Sequence, residues 1–461
     1  MLLLKYIGPF LRLNSLNKEN IKNQLFHLSK ESMKNIIFNS KCGIEINTKE
    51  LKNKRFTDLN TNILKSSYPI LCVYKKSNPK LKNINDKFYW NGEKIKKEIN
   101  IPTNAFMTLA LLELADYYNI FKDKDDSKYA LSIIYKELAK KQLQFYASYL
   151  RNEEGVFIDK IDTTDSSLNE FKLEIKNNKF KFSDQALLMA AFYKCYLLDD
   201  SKDGINYRNF SFDIMNMFIE FKQDLYSLSF EELLKLSLGL NIFYKFSNKE
   251  DTNLLLIDLF ELIGENYFSN IEISTGIKLE NLCLYYINCF LLYKNTGFII
   301  YKETADKLHV ELLKFYNDEL GIFVKVGEKD PYKFSSSEIC LYVLSLMLHN
   351  DDSSLPMLTS IFKKQLVNSG IILSWPDAPT LDDIERYKNF SLSSEDLLEE
   401  KNFKLPSIPS PENIELAPIF IKNINFNEKK HVFKQGKTSF YSNRNIPIFF
   451  FTIYLYNNCY L

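Results

Sequence analysis

From about residue 104 onward, apolar residues return at i, i+3, i+4 and i+7, the spacing that lines them along one face of an α-helix. Ten helices follow from it, over 104–118, 127–150, 183–198, 211–225, 229–246, 249–267, 278–293, 302–316, 335–348 and 353–366. Many open on Ser, Asn or Asp, whose short polar side chains satisfy free N–H groups of a first turn. The runs exceed ordinary strand length and do not alternate, so a strand reading fails. A further apolar run over 18–38 predicts an N-terminal helix.

The two ends carry a different pattern. Residues 40–100 hold short apolar runs, 70–74 and 88–90, among Lys and Asn, which predicts a small β-containing cap. Pro406, Pro409, Pro411 and Pro418 rule out a regular helix there and make an extended tether. The segment beyond it, 419–461, reads as a helix or a pair of strands. The chain thus divides into an N-terminal helix with a small mixed cap (1–100), a helical-hairpin domain (101–400), and a proline-rich tether with a C-terminal segment (401–461).

Alternate helices start near 104, 183, 229, 278 and 335. Apart from one long insertion, that spacing is about fifty residues, the size of a helical-hairpin repeat. Residues 139–157 (AKKQLQFYASYLRNEEGVF) match 305–323 (ADKLHVELLKFYNDELGIF) in their Ala, Lys, acidic and Gly-apolar-Phe positions. Each is followed by Lys-Phe-Ser opening the next helix, at Lys181-Phe182-Ser183 and Lys333-Phe334-Ser335. A degenerate third copy ends at Gly370-Ile371-Ile372-Leu373.

With these elements and the helix start Ser183-Asp184-Gln185-Ala186-Leu187, residues 100–375 resemble the six-hairpin, or (α/α)6 toroid, superfamily of glycoside hydrolases, sugar epimerases and related proteins. The expected fold class is mainly α: helical-hairpin repeats forming a toroid or a related α-solenoid, with small irregular or β-containing caps at both ends. Five hairpins are visible, and a sixth needs the 18–38 helix or a C-terminal segment. The resemblance implies a ring mouth where inner-helix N-termini converge, their N–H groups favouring anionic or hydroxyl-rich ligands. That mouth would collect Asn104, Asp184, Gln185, Glu231, Glu280, Ser336 and Glu338, joined from flanking loops by Trp90 and Trp375-Pro376-Asp377.

The catalytic candidates are therefore Asp184, Glu280 and Asp377, since paired carboxylates can act as acid and base on a glycosidic bond. The ligand-binding candidates are Trp90, Gln185, Glu338 and Trp375, aromatic faces and hydrogen-bonding groups suited to a sugar ring. Each has a plainer explanation beside it. An acid in a first turn is most often a cap, a Trp is most often a core anchor, and Asp377 between two prolines suits a tight turn.

Composition narrows the remaining choices. Hydrophobic residues make up 46% and aromatics 15%, while Gly and Pro number 13 each, few enough to favour long helices. Lys and Arg total 59 against 58 Asp and Glu, and only six of the cations are Arg, so no nucleic-acid or membrane partner is expected. The seven Cys are scattered with no CxxC, and Met1-Leu2-Leu3-Leu4-Lys5 lacks a basic region ahead of its apolar run. Both point to a reduced, cytoplasmic protein.

The four histidines, His27, His309, His349 and His431, form no pair of the kind that a sugar epimerase uses. No HExxH, EF-hand, Walker or GxSxG pattern occurs, so no metal and no cofactor is expected. Asp382-Asp383-Ile384-Glu385 has the acidic look of a terpene-cyclase motif but follows a proline-rich turn. Two function classes stay open: a carbohydrate-active or carbohydrate-binding protein, or a non-catalytic helical-repeat module with a protein partner.

Overall fold

In the computed structural model the helices are, in chain order, α1 (Lys18–Asn39), α2 (Thr48–Leu51), α3 (Ile101–Asn119), α4 (Asp126–Tyr149), α5 (Phe182–Leu198), α6 (Gly204–Glu220), α7 (Lys222–Leu225), α8 (Phe230–Ser247), α9 (Glu250–Glu272), α10 (Leu279–Thr296), α11 (Ile299–Leu313), α12 (Ser336–Leu348), α13 (Leu355–Ile361), α14 (Ser394–Leu398) and α15 (Ser442–Leu455). The structure describes residues 16–51, 64, 67–84, 87–165, 171–199, 201, 204–272, 277–325, 330–349, 351–399, 402–404 and 415–460. Met1 to Lys5 and most of the proline-rich tether lie outside them. The fold is mainly α with small sheets, as the periodicity predicts.

The chain packs as two compact units, each drawn from non-consecutive segments. The first takes 1–40, 78–93 and 313–461; the second takes 41–77 and 94–312.

In the second unit α3, α5, α8 and α10 stand side by side in that order. Each of the first three also packs against the helix that follows it, α4, α6 and α9 respectively. Burial separates the two sets. Nearly every residue of α3 and α5 is buried, whereas α6 buries only a stripe through Tyr207, Ser211, Ile214, Met215 and Phe218. A helix apolar on all sides belongs inside and a one-faced helix outside, so each hairpin contributes an inner and an outer member.

The α5–α8 contact is tight because Gly239 faces α5. A Cβ on Gly239 would lie 2.6 Å from the Ala186 Cβ and 2.9 Å from the Ala186 carbonyl carbon. Gly239→Ala adds helix propensity of about 1 kcal/mol but overpacks this seam at a cost of about 1–3 kcal/mol. The expected outcome is a lower urea midpoint than the native chain; an unchanged or higher midpoint would show that the two helices can move apart freely.

The strands of the second unit, Gly43–Glu45, Ile70–Ser77, Lys96–Ile99, Lys160–Asp162 and Leu173–Ile175, pair antiparallel in that order. The first unit places α1, α12, α13 and α15 together. It adds a hairpin of Leu81–Ile84 with Lys87–Trp90, and a three-stranded sheet of Tyr332–Ser335, Asn423–Asn427 and Val432–Gln435. The C-terminal segment therefore contains both elements that its sequence allowed, strands and then a helix.

Two other predicted helices differ in detail. The helix expected over 211–225 begins at Gly204 instead, since Tyr207 already belongs to its buried stripe, and it ends before the short α7. The helix expected over 353–366 becomes α13 followed by a π-helical turn, Phe362–Val367. Among the described residues no helix is long and apolar enough to cross a membrane.

Both Gly-apolar-Phe elements share one device. Gly155 and Gly321 sit at φ +84° and +64°, which a β-carbon disfavours. The Phe157 N–H donates to Gln185 Oε1 at 3.0 Å, and its carbonyl accepts from Nε2 at 2.9 Å. Phe323 is held in the same way by Gln365, at 3.0 and 3.4 Å. Asn104 grips Val73 and Asn445 grips Phe420 through the same pair of bonds. A primary amide offers one acceptor and two donors on a planar group, so one buried side chain can satisfy both the N–H and the carbonyl of a single backbone residue.

Candidate functional site

The N-termini of two neighbouring inner helices in the second unit, α3 and α5, are capped by carboxylates from elsewhere in the chain. Neither Asn100 before α3 nor Lys181 before α5 makes a side-chain cap bond. Asp159 supplies the first helix: Oδ1 accepts from the Ile101 N–H at 2.9 Å and Oδ2 from Asn100 Nδ2 at 2.6 Å. Glu232 supplies the second, its Oε1 accepting from the Ser183 N–H at 3.1 Å. Glu232 stands third in α8, and its own N–H donates to the N-cap Ser229 Oγ at 3.4 Å. Its carboxylate crosses to α5 instead.

Asp184, third in α5, is left over by this arrangement. It is 8% exposed, and among the described residues no hydrogen bond or ion pair reaches its carboxyl. Burial pushes its pKa up to about 8, and the neighbouring Glu232 and Asp159 charges push the same way, while Lys181 and Lys235 oppose them too weakly to compensate. A carboxylic acid that keeps its proton at neutral pH, beside two other carboxylates at converging helix N-termini, has the equipment of a general acid.

The other expected site residues divide between the units. Asp184, Gln185, Glu280, Asn104 and Glu231 belong to the second; Trp90, Glu338, Trp375, Asp377 and Ser336 belong to the first. Several are engaged by the protein itself. Gln185 and Asn104 spend their amides on Phe157 and Val73. Glu338 completes a capping box with Ser335 and pairs with Lys325 at 3.2 Å. Ser336 donates its N–H to the Lys422 carbonyl at 3.2 Å. Glu231 pairs with Lys235 at 2.6 Å and Lys278 at 3.4 Å.

Trp90 is 3% exposed, with its indole N–H on Asn35 Oδ1 at 2.6 Å and its edge against Phe440. Trp375 is 4% exposed. Neither offers a ring face to solvent. The Asp377 carbonyl accepts from His27 Nε2 at 2.9 Å, while the residue itself is exposed. Glu280 lies in the first turn of α10. The acidic run near 382 is structural: Asp383 caps the turn Ile384–Arg386, and Glu385 pairs with Lys30. Among the described residues no group of three or more His, Cys, Asp or Glu could hold a metal ion.

Asp159 and Glu232 escaped the sequence reading. Glu232 carries a signal, Ser229-x-x-Glu232, but that pattern predicts a bond within its own helix rather than to the next one. Asp159 follows the Gly155-Val156-Phe157 element by two residues, and the matching element around Gly321 has Lys325 in its place.

No family model matches this chain, and no curated protein matches it. Among solved structures, one similar chain is an inactive variant of the alpha-1,6-mannanase GH76A of Salegentibacter sp. HEL1_6, in complex with alpha-1,6-mannotriose. The likeness is at 12% identity with a TM-score of 0.39, covering 76% of this chain and 87% of that one.

Proposed function

We propose that this is a carbohydrate-active protein whose chemistry centres on Asp184 at the inner-helix N-termini of the second unit. The observation that carries the reading is the isolation of Asp184: buried, without a hydrogen bond or ion pair among the described residues, and pushed up to about 8. A purely structural acid at this position would cap its own helix or find a cation, as Glu338 does in α12.

In glycoside hydrolysis the proton of Asp184 passes to the glycosidic oxygen as the bond from the anomeric carbon to that oxygen breaks. Water then supplies hydroxide to the anomeric carbon, and its second proton goes to an ionised carboxylate. Asp159, Glu232 and Glu280 are the carboxylates of this unit from which that base is drawn.

Asp184→Asn keeps the shape of the side chain while removing the carboxyl proton. Screened against an oligosaccharide panel that includes alpha-1,6-mannotriose, the native protein is expected to release reducing ends. The variant should lose about a hundredfold or more of that rate, in line with general acid catalysis, at unchanged circular dichroism. Turnover that survives Asp184→Asn would remove Asp184 from the mechanism. A folded native protein that neither cleaves nor binds any glycan would instead favour a protein-binding module. That second reading draws on the exposed apolar start of α11, where Ile299 and Ile300 are each 65% exposed.

A further inference from the structure

In the first unit a lysine is left over, as Asp184 is in the second. Lys404 is 9% exposed. Main-chain bonds hold its segment: the Lys404 N–H donates to the Arg386 carbonyl and the Lys388 N–H to the Asn402 carbonyl, each at 2.6 Å. Glu385 is the carboxylate that acts on it most strongly. Both Glu385 oxygens, however, accept from Lys30 Nζ, at 2.9 and 2.7 Å. Among the described residues no hydrogen bond or ion pair reaches Lys404 Nζ. It stands instead over two rings, 4.4 Å from the Phe390 centroid and 5.2 Å from that of Tyr456.

Both rings are fixed in place. Tyr456 is buried and stacks on Phe26, with centroids 3.8 Å apart and planes 13° from parallel. Phe390 has φ +47°, a left-handed backbone that is unfavourable for a bulky residue, and its N–H donates to the Tyr387 carbonyl at 3.1 Å. Such strain persists only where the surrounding structure imposes it, and here it sets a ring against the amine of Lys404. A ring face attracts a cation but supplies no strong hydrogen-bond acceptor. Burial is the largest influence on the amine and lowers its pKa to about 8; Glu385 and Glu19 pull it upward, while Lys22 and Lys30 press it down. A lysine desolvated among apolar side chains keeps a usable lone pair near neutral pH.

We propose that Lys404 is a nucleophilic amine that captures a small aldehyde as an imine. The Nζ lone pair bonds to the carbonyl carbon, and one nitrogen proton passes to the former carbonyl oxygen. The hydroxyl of this adduct then leaves as water with the second nitrogen proton, and a C=N bond forms; nothing is oxidised or reduced. So little of the side chain is exposed that only a reactant of a few atoms reaches it. The proposal does not involve Asp184 and is independent of the glycosidase reading.

Formaldehyde tests it on the native chain, in limiting amount with cyanoborohydride, which reduces each imine to a stable methylamine read by peptide mass spectrometry. At pH 7 an amine of pKa about 8 is about one-tenth unprotonated, against about one part in three thousand at the ordinary 10.5. Restricted access takes back part of that advantage, so Lys404 should gain its first methyl at least about tenfold faster than the median lysine. Its rate should level off above about pH 8 while exposed lysines keep accelerating, and its lead should vanish in guanidinium chloride. Lys160 of the second unit, 6% exposed and lowered in pKa by burial, is the internal comparison and should trail Lys404. The proposal is overturned if Lys404 labels no faster than the median, which would make it a charged group held by its rings. It is overturned equally if Lys160 matches it, leaving burial as the whole cause, or if the lead survives unfolding.

Discussion

Replacing Asp184 with Asn is expected to make the protein more stable, by a margin that grows with pH. The Asp184 pKa stands at about 8 in the folded protein against 3.8 for the ordinary side chain. Between those values the folded state holds a proton that the unfolded chain has released, so native stability falls as pH rises through the interval. Four units of difference correspond to on the order of 5 kcal/mol once pH exceeds the folded pKa. Asn is neutral throughout and escapes the penalty. Urea midpoints of the two proteins should coincide near pH 4, separate through neutrality, and stay apart above pH 8. The charged groups acting on the carboxyl are Lys181, Glu232, Asp159 and Lys235, so Glu232→Gln should pull the native curve part of the way toward the variant. If Asp184→Asn is less stable than the native chain at every pH, Asp184 is an ionised cap and its role as an acid is lost.

A residue whose removal stabilises the fold is one that packing alone does not explain. Stability commonly rises when a functional group is taken out of a desolvated site. Loss of turnover together with a gain in stability in one variant would therefore separate a catalytic acid from a structural one, which gives up both when removed.

The helices were legible in the sequence because their evidence is local: an apolar stripe and a capping residue fit within one run, as in Ser229 and α8. The Gly-apolar-Phe elements were legible for the same reason, each turning on a glycine with positive φ. What holds them was not. The amide that grips Phe157 comes from Gln185, 28 residues on, and nothing in that Gln distinguishes a clamp from a ligand contact. Asp184 could be singled out as an acid in a first turn, but its isolation depends on Glu232 crossing to Ser183 and on Asp159 turning to α3. The two-unit division was hidden too. It rests on distant pairings such as Trp90 with Asn35, and nothing local to Trp90 separates a sugar platform from the core anchor whose ring packs against Phe440.

The largest loss of stability is expected in the first unit, at Lys30. Its ammonium lies 2.9 and 2.7 Å from the two Glu385 oxygens and 3.2 Å from Glu31 Oε1. The Lys30 and Glu385 side chains are 2% and 4% exposed. Burial works to lower the lysine pKa, but Glu385 and Glu31 outweigh it and hold the group above its ordinary value. The lysine's contribution is therefore fully present below pH 10.5 and is lost as pH climbs through the raised folded value, so the ammonium stays charged across the neutral range. Lys30→Met fills the space but takes the buried ammonium away from the Glu385 carboxylate, which should cost about 3–5 kcal/mol. Glu385→Leu leaves the ammonium with Glu31 beside it and should also destabilise. The double variant removes both charges, and well-packed apolar replacements of a buried pair are often neutral, so it should recover most of the loss. Urea unfolding at pH 7 of the native protein, both singles and the double gives the coupling directly. Single-variant losses that simply add in the double would mean that the two side chains do not depend on each other, and the ion pair would not be what anchors α1 to the Ile384–Arg386 turn.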